Sequence, residues 1–438
     1  MRYRSTAGIS PEVSLKEAVV KGLAPDRGLY MPERIVAMPQ DFYVRLPNMT
    51  LPEIAVEVAA SLFGEDVDAQ KLKSLTEDAI NFAIPLKRVS DNIYSLELFH
   101  GPTLAFKDVG ARFMARLLGY FNKENTEQTV NVLVATSGDT GSAVANGFLG
   151  VEGIRVFVLY PKGKVSDIQE AQFTTLGNNI QALEIDGTFD DCQALVKQAF
   201  LDAELNDAMM LTSANSINVA RFLPQMFYYF HAWAQLQSLG EKADEVVVSV
   251  PSGNFGNITA GLIAKKMGLP IKRFIAANNA NDIFFKYLQT GEYAPKPSVQ
   301  TIANAMDVGD PSNFARVMDL YGRYHDSIVS EISGCSYSDE EIRQTIKEVM
   351  EKDGYQLDPH GAVAYRALKE QLLPGETGIF LETAHPAKFK QTVEEITGKE
   401  IEIPKRLADF MLGEKNTINL PADFSAFKTY LLERISVK

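Results

Sequence analysis

From about residue 90 the chain alternates between two hydrophobic patterns. Short runs rich in β-branched residues are nearly continuous in apolar side chains: VNVLVAT (130–136), IRVFVLY (154–160), IQALEI (180–185), EVVVSV (245–250), IKRFIAA (271–277) and TGIFLET (377–383). That pattern predicts strands buried on both faces. Between them lie amphipathic stretches. In DVGARFMARLLGYF (108–121), Val109, Phe113, Leu117 and Phe121 recur every four residues, which places them on one helix face. Thr188 with Asp191, and Ser338 with Glu341 ahead of Ile342, Ile346 and Val349, have the spacing of capping boxes that open helices. Strand–helix alternation predicts parallel sheets covered by helices on both faces, an α/β fold. Before residue 90 the alternation is missing, and LPEIAVEVAASLFG (51–64) has helical spacing. The expected organisation is a mostly helical segment over 1–85, a core over 86–400 and a C-terminal extension over 401–438, where short helical patterns mix with Pro404 and Pro421.

Composition narrows the function without changing the fold. The chain has 438 residues, 46% hydrophobic and 23% charged, ordinary for a globular protein with a large core. Its 43 basic and 56 acidic residues give a net charge of −13 with no basic stripe, which argues against a nucleic-acid partner. Cys192 and Cys335 form no CxxC pair, so neither a zinc site nor a redox dithiol is expected, and two reduced thiols are. The start, MRYRSTAGISPEVSLKEAVV, has no apolar core of a secretory signal. No run reaches the ~18 apolar residues of a membrane span. A cytoplasmic enzyme without membrane or nucleic-acid partners is the expectation.

In open parallel sheets ligands bind at the carboxyl ends of strands, so the chemistry is sought there. HGPTLAFKD (100–108) follows the apolar run 93–99 and ends where a helix begins. Lys107 then lies on a turn at a helix N-terminus, where the dipole and partial burial both disfavour the ammonium form. Neutral lysine is the form that attacks an aldehyde to make a Schiff base; a solvated lysine at a helix start is the plain alternative. ATSGDTGSA (135–143) and PSGNFGNITAG (251–261) are glycine-containing turns between a strand and a helix. Their backbone N–H groups are placed to meet an anion, a substrate carboxylate at the first and a cofactor phosphate at the second. Neither is a P-loop, and no GxGxxG occurs in the chain. TSANSINVARFLPQ (212–225) groups Asn215, Ser216, Asn218 and Arg221, donors suited to a phosphate, although a polar helix cap explains them equally. In LETAHPAKF (381–389), Thr383 ends a strand, while His385 and Lys388 read as structural. Three candidate anion-binding turns, Thr383 and one lysine thus fall at strand ends.

HGPTLAFKD, ATSGDTG, PSGNFGN and ETAHPAKF in this order, with YRSTAGISPEVSLKEAVVKGLAPDRGLYMPE (3–33), resemble the threonine synthase family of the fold type II pyridoxal-phosphate (PLP) enzymes over nearly the whole chain. The resemblance implies a fold type II α/β architecture: two parallel-sheet domains within 86–400 with the site between them, after a mostly helical N-terminal segment. It implies that Lys107 carries PLP, that Ser252, Gly253, Asn254, Phe255, Gly256 and Asn257 cradle its phosphate, and that Thr383 faces the pyridine nitrogen. Thr136, Ser137, Asp139 and Thr140 would hold the substrate carboxylate or contact the ring hydroxyl. Many relatives carry asparagine where this chain has Asp139. Asn215, Ser216 and Arg221 would bind the phosphate of a small-molecule substrate, O-phospho-L-homoserine, which is converted with water to L-threonine and phosphate. Other fold type II enzymes, such as threonine dehydratases and cysteine synthases, need no second phosphate clamp. A phospho-lyase acting on the same substrate differs by its products, and a non-catalytic PLP carrier would not need the substrate clamp.

Overall fold

The computed structural model describes residues 1–434 except 124–128, 242 and 244; the last four residues of the C-terminal segment lie outside the described residues. The strands are β1 (Tyr3–Ser5), β2 (Tyr30–Pro32), β3 (Leu86–Ser90), β4 (Ile93–Glu97), β5 (Val130–Ala135), β6 (Ile154–Pro161), β7 (Ile180–Asp186), β8 (Met210–Ser213), β9 (Val246–Pro251), β10 (Ile271–Asn278), β11 (Ile332–Ser336), β12 (Thr377–Glu382) and β13 (Thr417–Pro421). They form a six-stranded sheet in the order β11-β10-β9-β12-β4-β3, a five-stranded sheet in the order β13-β7-β6-β5-β8, and a two-stranded ribbon of β1 and β2. The two larger sheets are parallel except where β3 runs antiparallel to β4.

Every strand expected from a continuous apolar run is present within two residues of its predicted ends. The central strands β5, β9 and β12 are buried at every position, because helices cover both faces. Both capping boxes form: Asp191 Oδ2 accepts from Thr188 N at 2.7 Å, and Glu341 Oε2 from Ser338 N at 2.8 Å. A third, Thr50 with Glu53, opens helix Leu51–Phe63.

The segment before residue 86 is helical over Leu15–Lys21, Gln40–Arg45, Leu51–Phe63 and Ala69–Ala79, with the short ribbon added. The last segment does more than trail behind the core. Its β13 pairs with β7 and becomes the edge of the five-stranded sheet, and helix Phe424–Glu433 buries Phe427 and Leu431 against it. Among the described residues no helix is long and apolar enough to cross a membrane.

The topology brings five strand ends together. The turns after β4, β9 and β12 in one sheet meet those after β5 and β8 in the other.

Candidate active site

The turn after β4 is built around Asp108. Its carboxylate accepts from Thr103 N at 2.9 Å and Thr103 Oγ1 at 2.7 Å, folding Gly101–Phe106 back on the helix that begins at Lys107. A Cβ on Gly101 would stand 2.5 Å from Asp108 Oδ2, so glycine is required there. Leu104 sits in the left-handed region at φ 57°, a strain that a non-glycine residue bears only where the surroundings enforce it. Phe106 N donates to Thr383 O at 2.9 Å, which ties this turn to the end of β12. Burial pushes the Lys107 amine down to about 8; the Asp139 carboxylate opposes the shift, and Arg221 and Lys388 add to it.

The turn after β5 differs from expectation at one residue. Thr136 Oγ1 accepts from Gly138 N at 2.9 Å and Gly141 N at 2.8 Å, so two N–H groups of this turn shape it instead of facing a ligand. Asp139, expected to hold a substrate carboxylate or touch a ring hydroxyl, is the only one of the expected site residues that does not line the cavity. It is buried, with Oδ1 2.6 Å from Lys388 Nζ and 2.8 Å from Gln169 Nε2. Burial opposes its ionisation, yet Lys388 and the other groups around it hold the carboxyl down at about 2. A carboxylate so committed, and bearing the same charge, does not grip a substrate carboxylate. Lys388, fully buried, also donates to Thr103 O at 2.9 Å, so the pair braces both turns around Lys107.

The turn after β9 turns sharply at Phe255, φ 63°, and delivers helix Gly256–Lys266, whose first turn has no side-chain cap. Its free N–H groups face the cavity and suit an anion. Asn257 Oδ1 accepts from Tyr228 and Tyr229 hydroxyls at 2.6 and 2.7 Å. Its Nδ2 is then a buried donor with no partner among the described residues. Ser252 Oγ is spent on Val250 O at 2.9 Å, and Asn254 turns its amide away toward Ser216.

After β8, Asn218 acts as a helix cap, bonding Ala220 N at 3.0 Å, while its neighbours face the cavity. Asn215 Nδ2 reaches Ala135 O at 3.1 Å. Arg221 is 3% exposed. Its Nη1 donates to Lys107 O at 3.1 Å, and its Nε has no partner among the described residues. Burial lowers its pKa to about 10, leaving it charged at neutral pH. A buried cation with unspent donors is costly unless an anion joins it.

These groups surround one cavity of about 120 Å3. It adjoins a wider cleft of about 930 Å3, with which it shares Ala135, Gln193, Asn215 and Asn254. Asn304, Asp307 and His360 also line it, and the sequence motifs did not single them out. His360 holds the 304–308 loop in place: its Nδ1 lies 2.5 Å from Asp358 Oδ1, and its Nε2 accepts from Ala305 N at 3.2 Å. The signals available were the helix-opening DPHG (358–361) and the turn-rich NAMDVGDPSN (304–313).

The family described as pyridoxal-phosphate dependent enzyme matches residues 82–381, flanked by threonine synthase N terminus over 2–80 and threonine synthase C-terminal over 361–431. The chain is 49% identical to a threonine synthase of Haemophilus influenzae, covering 96% of this chain and 97% of that one. It is 46% identical to that of Escherichia coli, again over 96% and 97%. The crystal structure of the Escherichia coli threonine synthase superposes with a TM-score of 0.93 at 44% identity, covering 99% and 100% of the two chains. The PLP-bound threonine synthase of Brucella melitensis gives 0.93 at 36% identity over the full length of both. The chain belongs to the threonine synthase family of fold type II, pyridoxal-phosphate-dependent enzymes.

Proposed function

We propose that this cavity converts O-phospho-L-homoserine and water into L-threonine and phosphate, with PLP carried by Lys107. The observation that supports it most is the pairing of one half-buried, easily neutralised lysine with two separate sets of unspent anion donors. One set is the uncapped start of helix Gly256–Lys266 with Asn257 Nδ2, where the cofactor phosphate fits. The other is Arg221 with Asn215 and Ser216, where the substrate phosphate fits. Thr383 follows β12, lines the same cavity as Lys107 and offers a neutral hydroxyl to the ring nitrogen.

Bound here, PLP supplies an electron sink for negative charge developing at the substrate Cα. The chain does the rest. Thr136, Ser137 and Thr140 hold the carboxylate and fix the Cα–H bond toward Lys107. Lys107, its amine shifted toward neutrality, takes the Cα proton and then one from Cβ. Arg221 and Ser216 stabilise the phosphate as it leaves Cγ. Cγ takes up one proton to become the methyl group, water adds its hydroxyl at Cβ and gives up its remaining proton, and Lys107 returns a proton to Cα. The Asp139–Lys388 pair keeps the two turns around Lys107 in register. The reading places the reaction in the cytoplasm, with a small molecule as the partner.

Incubating the PLP-loaded protein with O-phosphohomoserine should release threonine and phosphate in equal amounts. Phosphate accompanied by a 2-oxo acid, or no phosphate at all, would overturn the assignment.

Two further outcomes follow from the geometry. The neutral amine is the reactive form, and burial lowers its pKa from 10.5 to about 8. Capture of PLP by the cofactor-free protein should therefore speed up with pH only to about 8 and then level off. A rate still climbing toward the ordinary lysine range would contradict this. A Cβ on Gly253 would lie 2.7 Å from Met306 Cα and 3.1 Å from Ala305 O, backbone atoms that cannot swing aside. Overpacking of this kind costs roughly 1–3 kcal/mol, so Gly253→Ala should weaken PLP affinity ~10-fold or more in a spectral titration. Unchanged affinity in the folded variant would remove this loop from the cofactor site.

A further inference from the structure

Ser216 presents its hydroxyl to the cavity with two amide groups aimed at it. Asn254 Nδ2 and Asn313 Nδ2 each donate to Ser216 Oγ at 3.0 Å. Both amides are locked in that orientation by their other atoms. Asn254 Oδ1 accepts from Ser312 N at 2.6 Å. Asn313 Oδ1 accepts from Arg316 Nη1 at 2.6 Å, and its Nδ2 also donates to Asn254 O at 2.9 Å. Turning either amide over would set donor against donor and acceptor against acceptor. A hydroxyl has two acceptor positions and one proton. Both acceptor positions of Ser216 are occupied, so its proton is left to donate, and among the described residues no protein atom accepts it.

Arg316 anchors this arrangement. It is fully buried, its guanidinium lies 3.9 Å from the Phe222 ring centroid, and it donates to Ser216 O at 2.8 Å, Ile217 O at 2.6 Å and Tyr30 O at 3.1 Å. Asp319, the carboxylate whose field reaches it, is committed to Arg4 at 2.6 Å. Among the described residues, Arg316 thus brings positive charge to the 215–217 loop without a carboxylate partner, as Arg221 does.

We propose that Arg316 and Asn313 are positioning residues of the phosphate subsite: through them Ser216 becomes a hydroxyl that can only donate. Such a group favours a ligand that only accepts, the dianion of a phosphate monoester, over a leaving group that carries its own proton. This rests on the reading of Asn215, Ser216 and Arg221 as the site of the substrate's phosphate.

The test is a double-mutant cycle on Ser216→Ala and Asn313→Asp, with Arg221→Ala in parallel. Asn313→Asp is nearly isosteric, so the fold is expected to survive where an Arg316 variant would not. It replaces the donor by an acceptor and draws the Ser216 proton off the ligand. Three quantities are read: KM for O-phosphohomoserine, binding of inorganic phosphate to the PLP-loaded protein by calorimetry, and PLP affinity by absorbance. One charge-assisted hydrogen bond corresponds to roughly 10-fold or more. Ser216→Ala and Asn313→Asp should each raise KM and weaken phosphate binding ~10-fold with PLP affinity unchanged. The double variant should be no worse than either single one. Additive losses would mean that the introduced carboxylate repels phosphate directly, and would overturn the proposal. So would weakened PLP binding with unchanged KM, which would assign the donor to the cofactor's phosphate. If Arg221→Ala and Ser216→Ala both leave KM and phosphate binding untouched, the subsite reading itself fails, and this inference with it.

Discussion

Replacing Lys107 by Ala is expected to abolish turnover. Lys107 is both the attachment point for PLP and the base that moves protons at Cα and Cβ, and general acid–base catalysis alone is worth roughly 10²–10⁴-fold. A fall of at least ~10³-fold in threonine formation is expected. No neighbour can replace it. Lys388 is the buried lysine nearby, and that side chain is held by Asp139 at 2.6 Å and Thr103 O at 2.9 Å. Borohydride reduction of the PLP-loaded protein followed by peptide mapping checks the attachment. The cofactor should be fixed to the peptide containing Lys107, and the variant should retain none. A label on Lys388 or any other lysine would refute the assignment.

Arg221→Ala is expected to cost at least ~10-fold in kcat/KM, because charge-assisted hydrogen bonds contribute roughly 1.5–3 kcal/mol each. The loss should be selective. The cofactor's phosphate is assigned to a different loop, so PLP occupancy and the visible spectrum should persist. Arg221→Lys should recover only part of the loss, since lysine restores the charge without the planar fork. The variant also removes the 3.1 Å hydrogen bond to Lys107 O, so the spectrum is an essential control. Phosphate release measured for wild type and both variants decides the matter. Equal kcat/KM would make Arg221 a structural residue, and joint loss of PLP and activity would give it a folding role.

The reach of the sequence can be judged strand by strand. The runs that became β5, β9 and β12 were legible because burial on both faces leaves no polar alternation to confuse. β11, ISGCS, and β13, TINLP, were not, because edge strands are half-exposed and carry Gly334 and Pro421. Their pairing is decided by neighbours far along the chain. Motif residues at strand ends were legible because βα turns place glycine and small polar side chains where ligands bind. The position of Asp139 outside the cavity lining was not legible because its partners, Gln169 and Lys388, lie 30 and 249 positions away. The loop 304–313 escaped notice because it follows no strand and reaches the site by a tertiary contact with His360. Ser216 could be named from sequence as a candidate, but its donor-only character rests on Asn254, Asn313 and Arg316, a network assembled only by the fold.

The most direct test is a crystal structure of the PLP-loaded protein with a non-hydrolysable phosphonate analogue of O-phosphohomoserine. The cofactor phosphate is predicted at the start of helix Gly256–Lys266 and the analogue's phosphonate within hydrogen-bond reach of Arg221 and Ser216, with Lys107 beside Cα and Cβ. A phosphonate bound elsewhere, or a cofactor phosphate held by Arg221, would contradict it.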